Sequence, residues 1–598
     1  MMGKYGLINN IIYIIKHTLI VQKSVILLGI FSGIVSTMFS LLKLFTLPII
    51  LNVFEGETNH HRLIAIVSTL IISTMFCDSL QTYIKANEIF GRIELRSYFT
   101  FKIHDKLATT SYPNTETPDF LEKLNLANKA VNGNEGAISS IWDTFEHIFK
   151  YIVCFAVYAM LLLNLDMWVL SLTIVISLIG YILTKKCDIW VFKHRSEGAK
   201  YLRKLNYLND KIQGMTMAKE ILIFNMKQWM LNIYNDDLIL YKKYIEQKEI
   251  KYAKSDIIKL FLSVLRNLIV YIYIIDLLIN EKMPVSYFLL YFNAINGFDS
   301  WIEGILSEIS IMARQGVDIA HMREFLDYEE KFLFEEGEHI KRLNAYDIEL
   351  RNVSYTYPKS NKICINKINL KIKQGEKIAI VGLNGAGKTT LIKLICGFVK
   401  PDSGEILLNG KNIDIYNKTD YYSLFSAVFQ NFSILAGTVA NNVAQTMENI
   451  DYEKMKKCLK QSGLYEKIES LPDKYNTHMG KEVYDDAIEF SGGETQKLLL
   501  SRALYKDAPI FILDEPTAAM DPIAEKLIYE QYDQLTKGKS VVFISHRLAS
   551  TRFCDRIILI SDGSIIEEGT HDELLKNQGK YYELFNIQSQ YYQENNMK

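Results

Sequence analysis

Six apolar stretches, each near or above the length needed to cross a bilayer, occupy the first half of this 598-residue chain: 25–51, 63–84, 148–165, 167–184, 258–279 and 284–311. An α-helix rises 1.5 Å per residue, so roughly 20 apolar residues cross the hydrocarbon layer. The links between them alternate in size. Short ones (NVFEGETNHHR, NLD, NEKMP) join spans one to two, three to four and five to six, while spans two to three and four to five are separated by long charged segments. Long loops weaken the rule that positive charge stays inside, so orientation rests on Lys185, Lys186, Lys251 and Lys254, close to the span ends. They place both long links, both termini and the following soluble region in the cytoplasm. The long links read as helices that project past the bilayer and turn at their tips, around 112–119 (YPNTETPD) and 214–224 (GMTMAKEILIF).

From about Tyr346 the pattern changes to short strands, glycine turns and charged helices, the signature of a soluble α/β domain. The expected division is therefore an amphipathic membrane-surface helix over 1–24, a membrane domain over 25–328, a linker over 329–345 and a nucleotide-binding domain over 346–598 ending in a helical tail. The fold class is an all-α polytopic membrane domain joined to an α/β P-loop domain. A net charge of -1 makes no case for nucleic acid as a partner. Seven scattered cysteines, at 77, 154, 187, 364, 396, 458 and 554, read as small core residues and form neither a disulfide framework nor a metal site. No short apolar stretch followed by a small-residue cleavage site opens the chain, so insertion is expected from the spans themselves.

The strongest local signal is IAIVGLNGAGKTTLIKLICG. A β-branched strand runs into Gly382, Leu383, Asn384, Gly385, Ala386, Gly387, Lys388 and Thr389, with Thr390 next, and then into a helical apolar pattern. Glycines let successive backbone N–H groups curl around phosphate oxygens; Lys388 would reach the terminal phosphates and Thr389 would offer its hydroxyl to Mg²⁺. A second apolar strand, IFIL, ends in Asp514 and Glu515. Asp514 would hold the Mg²⁺ shell, and Glu515 stands where a general base would polarise the attacking water. ATP and Mg²⁺ are the cofactors expected.

With these motifs on the page the chain resembles the ATP-binding-cassette family, and the resemblance runs along nearly its whole length. Ser491, Gly492, Gly493 and Glu494 are similar to the family signature, which normally ends in Gln. The resemblance implies two nucleotide domains stacked head to tail, so that Ser491 and the following glycine N–H groups would meet ATP held by the other subunit's P-loop. It further implies that Tyr357 stacks on adenine, that Gln430 links Mg²⁺ and attacking water to the membrane part, that His546 contacts the terminal phosphate, and that Asp521 couples the paired sites. Two departures stand out. Glu494 puts a carboxylate where the family has a neutral amide and is expected to point outward, and the stretch THMGKEVYDDAIE before the signature is longer than the family's coupling segment.

Membrane domain first, nucleotide domain second and six spans resemble the exporter half-transporters, which dimerise to twelve spans. The resemblance implies a second copy of the chain as partner, or a homologous half-transporter in its place, in the cytoplasmic membrane. The leading reading is ATP-driven export of an amphipathic small molecule, drug-like or peptide, by alternating access. A flippase for lipid or lipid-linked sugar, and a nucleotide-gated channel or regulatory module, are the alternatives; Glu515 beside a complete signature argues against the last. The first 24 residues are too short for a leader-cleaving peptidase. Polar residues in or near the spans, Lys43, Asp78, Asn293, Asn296 and Asp299, with Asp276 at a span end, are the candidates for a substrate cavity, because charge in a bilayer normally faces protein or water.

Overall fold

The computed structural model describes residues 5–55, 60–213, 217–280, 283–334, 336–341, 343, 346–358, 360–515, 535–545 and 547–594. They fall into two compact units, Met1–Thr109 with Pro118–Tyr328, and Thr110–Thr117 with Glu329–Lys598.

The first unit is helical: α1 (Leu7–Val21), α2 (Ser24–Glu55), α3 (His60–Thr109), then, after the four-residue α4 (Tyr112–Thr115) of the other unit, α5 (Pro118–Val131), α6 (Ala137–Leu165), α7 (Met167–Gln213), α8 (Ala218–Ile223), α9 (Lys227–Asn280) and α10 (Val285–Leu326). Among the described residues α2, α3, α6, α7 and α9 are long and apolar enough to cross a membrane. The sixth expected span lies in α10, whose apolar run is interrupted by Asn293, Asn296 and Asp299. Helix α10 packs along α6 and α2, and α7 packs along α9.

Helix α1 turns two of its polar residues, Asn10 and Thr18, inward and leaves Asn9 and Lys16 exposed. It buries Asn10, Ile14 and Thr18 and exposes Ile8, Ile12, Leu19 and Ile20. Asn10 Nδ2 donates to the Gly316 carbonyl at 2.8 Å, and Arg323 donates to Asn10 Oδ1 at 2.9 Å, so the buried amide is satisfied on both sides. The exposed isoleucines suit lipid.

The long links are helical extensions, as the charge pattern predicts, but the first has a break the pattern did not show. Between α5 and α6 the segment Asn132–Gly136 turns the chain: Gly133 has φ +64°, and a Cβ at Gly136 would lie 2.8 Å from the Ala130 carbonyl oxygen. The tip of that link, Thr110–Thr117, packs in the second unit. The expected linker does too: Ser111 N and Oγ both donate to Glu330 at 2.6 Å, and Glu338 N donates to the Ile415 carbonyl. In the second link α8 supplies the expected turn, with 214–216 outside the described residues.

The second unit holds β1 (Ile348–Thr356), β2 (Ile363–Ile372), β3 (Lys377–Val381), β4 (Ser403–Leu408), β5 (Lys411–Asn412), β6 (Phe425–Val428), β7 (Gly437–Thr438), β8 (His478–Met479), β9 (Ile510–Asp514), β10 (Ser540–Ile544), β11 (Arg556–Ser561) and β12 (Ser564–Gly569). Strands β2, β1, β4 and β5 make an antiparallel sheet, and a six-stranded sheet runs β12, β11, β3, β10, β9, β6. In the latter, β11, β3, β10, β9 and β6 are parallel and nearly every residue of β3, β9 and β10 is buried. Parallel strands covered on both faces need such unbroken apolar runs.

A charge pair with a buried arginine stands among the apolar packing of the first unit. Arg266 of α9, 1% exposed, pairs with Asp299 of α10, whose other carboxylate oxygen accepts from Ser177 of α7. Removing one partner leaves the other charged and unpaired, which costs about 3 kcal/mol or more. Asp299→Asn is therefore expected to lower the thermal unfolding temperature in detergent by more than the double change Arg266→Met with Asp299→Leu; equal or reversed effects would show that the pair does not hold these three helices.

Candidate nucleotide site

Parallel register decides what meets at the carboxyl ends of β3, β9 and β10. Ile544 pairs with Ile380 on one side and with Asp514 on the other, so the loop after β3 and the acids after β9 flank one strand. The loop Gly382–Gly387 is built of left-handed backbone at Gly382, Gly385 and Gly387, and a Cβ at Gly382 would lie 2.3 Å from the Ile560 carbonyl oxygen. No other residue fits there. Asn384 and Thr389 are exposed, and α11 (Lys388–Ile395) starts at the loop's end with Thr390 buried in its first turn.

Lys388 is buried and donates to the carbonyls of Gly382 at 2.9 Å and Leu383 at 3.1 Å. Burial pulls its amine below the ordinary lysine range, opposed by the nearby charges of Glu515 and Asp514. Asp514 is 3% exposed, and its Oδ1 has no hydrogen-bond partner among the described residues. Burial, then the neighbouring Glu515 carboxylate, pushes Asp514 up to about 6 against the pull of Lys388. A buried carboxylate oxygen without a donor, a lysine and a glycine cradle fit a divalent cation and a polyphosphate. Glu515 follows with φ +51°, a backbone strain that turns its side chain out of the strand line, and Gln430 Nε2 donates to Glu515 Oε2 at 3.0 Å. The two residues expected to manage the attacking water thus touch.

Tyr357 is half-buried, and its hydroxyl lies 3.1 Å from Thr390 Oγ1, which also contacts Cys364 Sγ at 3.2 Å. Ser491 caps the helix Gly492–Lys506, and Ser491 and Gly492 are exposed. Glu494 does not point outward as expected. Its carboxylate folds back to accept from Ser491 N at 2.9 Å and lies 3.3 Å from Lys467 Nζ. The Ser491 N–H, chiefly, holds it below the usual carboxylate range, so it is ionised, with Lys467 as its counter-charge. The long stretch before the signature folds on itself: His478 stacks on Tyr484 at 4.1 Å and bonds Asp486 at 2.9 Å. Asp521 and His546 lie outside the described residues.

Nothing in the sequence singles out Lys393, yet it joins two parts of the site. Its ammonium donates to Glu116, beside α4, at 2.7 Å and lies 5.2 Å from the Tyr112 ring and 5.6 Å from the Tyr357 ring. Burial opposes its charge, but the bonds to Glu116 and Tyr112 outweigh burial and the amine is raised. Tyr112 also stacks on Phe398 at 5.1 Å. The tip of the first long link is thereby tied to the helix that carries Lys388.

The profile described as ABC transporter matches residues 365–518, which contain the P-loop, the signature and both acids. Residues 365–518 therefore carry an ABC transporter domain. The subtilin transport ATP-binding protein of Bacillus subtilis is 28% identical over 489 residues, 80% of this chain and 77% of that one. The ATP-dependent lipid A-core flippases of Pseudoalteromonas translucida and Escherichia coli K12 are 38% and 35% identical, each over about two-fifths of both chains. A bacterial Atm1-family ABC exporter solved with ATP bound superposes with a TM-score of 0.78 at 18% identity, covering 94% of this chain and 98% of that one, and so shares its fold. With its helical membrane domain before its ATP-binding domain, this chain is a multi-pass protein of the cytoplasmic membrane. The matched domain supports ATP hydrolysis coupled to transport.

Among the cavity candidates Asn296 and Asp299 are joined through Asn267 and Arg266. Lys43 lies over the Phe39 ring and is exposed on α2; Asp78 is exposed on α3. Asn296 accepts from Asn267 at 3.0 Å, Asp276 from Asn280, Asn293 is half-buried, and Asp299 is held by Arg266. The Arg266 partner was visible in the fifth span, where an arginine among apolar residues calls for an acid nearby.

A raised Asp514 value has a signed consequence. Protonation favours the nucleotide-free fold, and that stability is complete below about pH 4 and lost as the pH rises through about 6. Cation uptake needs the ionised form. Mg²⁺-dependent nucleotide binding is therefore expected to weaken about tenfold per unit as pH falls below that value. Titration calorimetry across pH 5 to 8 checks this, with Asp514→Asn expected to flatten the profile.

Proposed function

We propose that ATP is bound between two copies of this chain and that its hydrolysis drives an amphipathic small molecule or peptide out of the cell. The observation that carries the site is the juxtaposition of Lys388, the donor-less Oδ1 of buried Asp514, and Glu515 bonded to Gln430 at the ends of neighbouring parallel strands. In this reading the amides of Gly382, Asn384, Gly385, Gly387 and Lys388, with Thr389 and Thr390, hold the phosphates, and Tyr357 swings from Thr390 onto the adenine. Asp514, Thr389 and Gln430 hold Mg²⁺. The bound cation would supply positive charge against the transferred phosphoryl group. Glu515 orients and deprotonates the attacking water, with His546 at the terminal phosphate.

Ser491, Gly492 and Gly493 serve the other copy's ATP, which the exposure of Ser491 and Gly492 at a helix start supports. Lys467 offsets Glu494, so the signature end of the helix stays open to an anion. Asp521 couples the two sites. The nucleotide-dependent closing of the pair reaches the membrane domain through Glu116, Tyr112 and Lys393, which join the link tip to α11.

Peptide or small-molecule export is favoured over lipid flipping by where the likenesses fall. The flippases match about two-fifths of this chain, whereas the subtilin transport protein matches 489 residues and so extends into the membrane part.

Glu515→Gln is expected to lower ATP turnover about a hundredfold or more while leaving nucleotide binding intact. The measurement pairs phosphate release with uptake of fluorescent amphiphiles and short peptides into inside-out proteoliposomes. Wild-type hydrolysis with no movement of any such compound would sink the export reading, and native mass spectrometry showing only a single chain in several mild detergents would sink the paired site.

A further inference from the structure

The first unit carries a pocket of about 310 Å³ at the start of the first span, between α1, α2 and α6. Its walls are almost wholly apolar, formed by Ile26, Ile30, Phe145 and Phe149 with Trp142. It also has one acid. Glu146 lines the pocket with a side chain only 2% exposed, and its Oε2 has no hydrogen-bond partner. The nearest cation, Lys85, is 3.9 Å from Oε1, at the limit of an ion pair, and is itself half exposed. Trp142 Nε1, 5% exposed as a residue, likewise lacks a partner.

A second carboxylate stands behind the wall. Gly29 lines the pocket, and a Cβ there would lie 3.4 Å from Glu88 Oε1, so the missing side chain leaves that acid near the cavity. Glu88 is 1% exposed; Arg92 bonds its Oε1, while Oε2 has no partner. Arg92 is shared with Asp143 at 2.7 Å. The local count is three acids, Glu88, Asp143 and Glu146, against two cations, Arg92 and Lys85, and the deficit lies on the side of the apolar cavity. Burying carboxylate oxygens without donors is costly unless something supplies positive charge. Apolar walls with an aromatic lining and one uncompensated acid select an organic cation, whose charge meets the acid and whose body fills the cavity.

We infer that this pocket, rather than the scattered polar residues of the spans, is a binding site for an amphipathic monocation, with Glu146 as its counter-ion and Trp142, Phe145 and Phe149 as its apolar bed. The inference rests on the export reading for its purpose and names the substrate class. Its place at the beginning of α2 puts it on the cytoplasmic side of the membrane, where cargo for export enters.

Tetraphenylphosphonium and tetraphenylborate share a shape and differ in sign, which makes them suitable probes. Equilibrium binding of each is measured on the full chain in phosphatidylcholine nanodiscs, with partitioning into empty nanodiscs subtracted. The cation is expected to bind saturably and the anion not to. Glu146→Gln is expected to weaken the cation at least about tenfold, because it removes the buried charge and keeps the side chain's size. Gly29→Leu, which fills the cavity and leaves both acids in place, guards against misfolding of the first variant and is expected to abolish saturable binding of the cation. Adding phosphatidylethanolamine to the nanodiscs tells the source: competition assigns the site to an aminolipid headgroup, and its absence to a free cationic amphiphile. Equal binding of both ions, or cation binding unchanged in both variants, would overturn the site. ATP turnover read on the same samples separates the two ideas, since a working, Glu515-dependent ATPase without cation binding would keep the exporter and discard the pocket.

Discussion

Parallel pairing of β3, β10 and β9 is the constraint on which the ATP site depends. It sets the loop after β3 and the acids after β9 on either side of one strand, and hydrogen-bond register fixes that placement to a single residue. Two carboxylates then stand near one buried lysine in a region where water screens little. Burial, and then repulsion by Glu515, raises Asp514, and Lys388 is left bonding its own loop's carbonyls. The site is poised by electrostatics to accept a cation and a polyanion together, because each relieves a charge that the fold has left uncompensated.

The membrane unit obeys the complementary rule. Polar groups are few there, and most are placed where another helix answers them: Arg266 with Asp299 and Ser177, Asn10 with Gly316 and Arg323. Each such group ties separate helices together, so the cost of burying a polar group becomes a device for fixing which helices meet. Against that background Glu146 and Glu88 stand out, with oxygens that no neighbour answers. The same logic that explains the paired groups makes the unpaired ones candidates for ligand chemistry.

Within the second unit the tip of the first long link is held electrostatically. Lys393 sits one helical turn and a half beyond Lys388 on α11 and is held by Glu116 and Tyr112 while facing the Tyr357 ring. A movement of Tyr357 would change the surroundings of the same ammonium that grips the link tip. One cation thus belongs both to the surroundings of Tyr357 and to the tip of the first long link.

Much of this protein was legible in its residues. Apolar runs with alternating link lengths determined the spans and the long helical extensions, because a backbone in hydrocarbon has few ways to satisfy its own hydrogen bonds. Glycines followed by Lys388 and Thr389, and Asp514 and Glu515 after an apolar strand, determined an ATP site, because phosphate binding and water activation need those groups in those local settings. The break at Gly133 and Gly136 was written in the chain but masked by the strength of the surrounding helical pattern. Tertiary structure alone decided the rest. It folded Glu494 back onto Ser491 and Lys467, gave Lys393 its partners, matched Arg266 to Asp299, and left Glu146 facing an apolar cavity. The reason is physical: local sequence sets which groups a backbone can hold, while the worth of a charge depends on what other segments bring within a few ångströms of it.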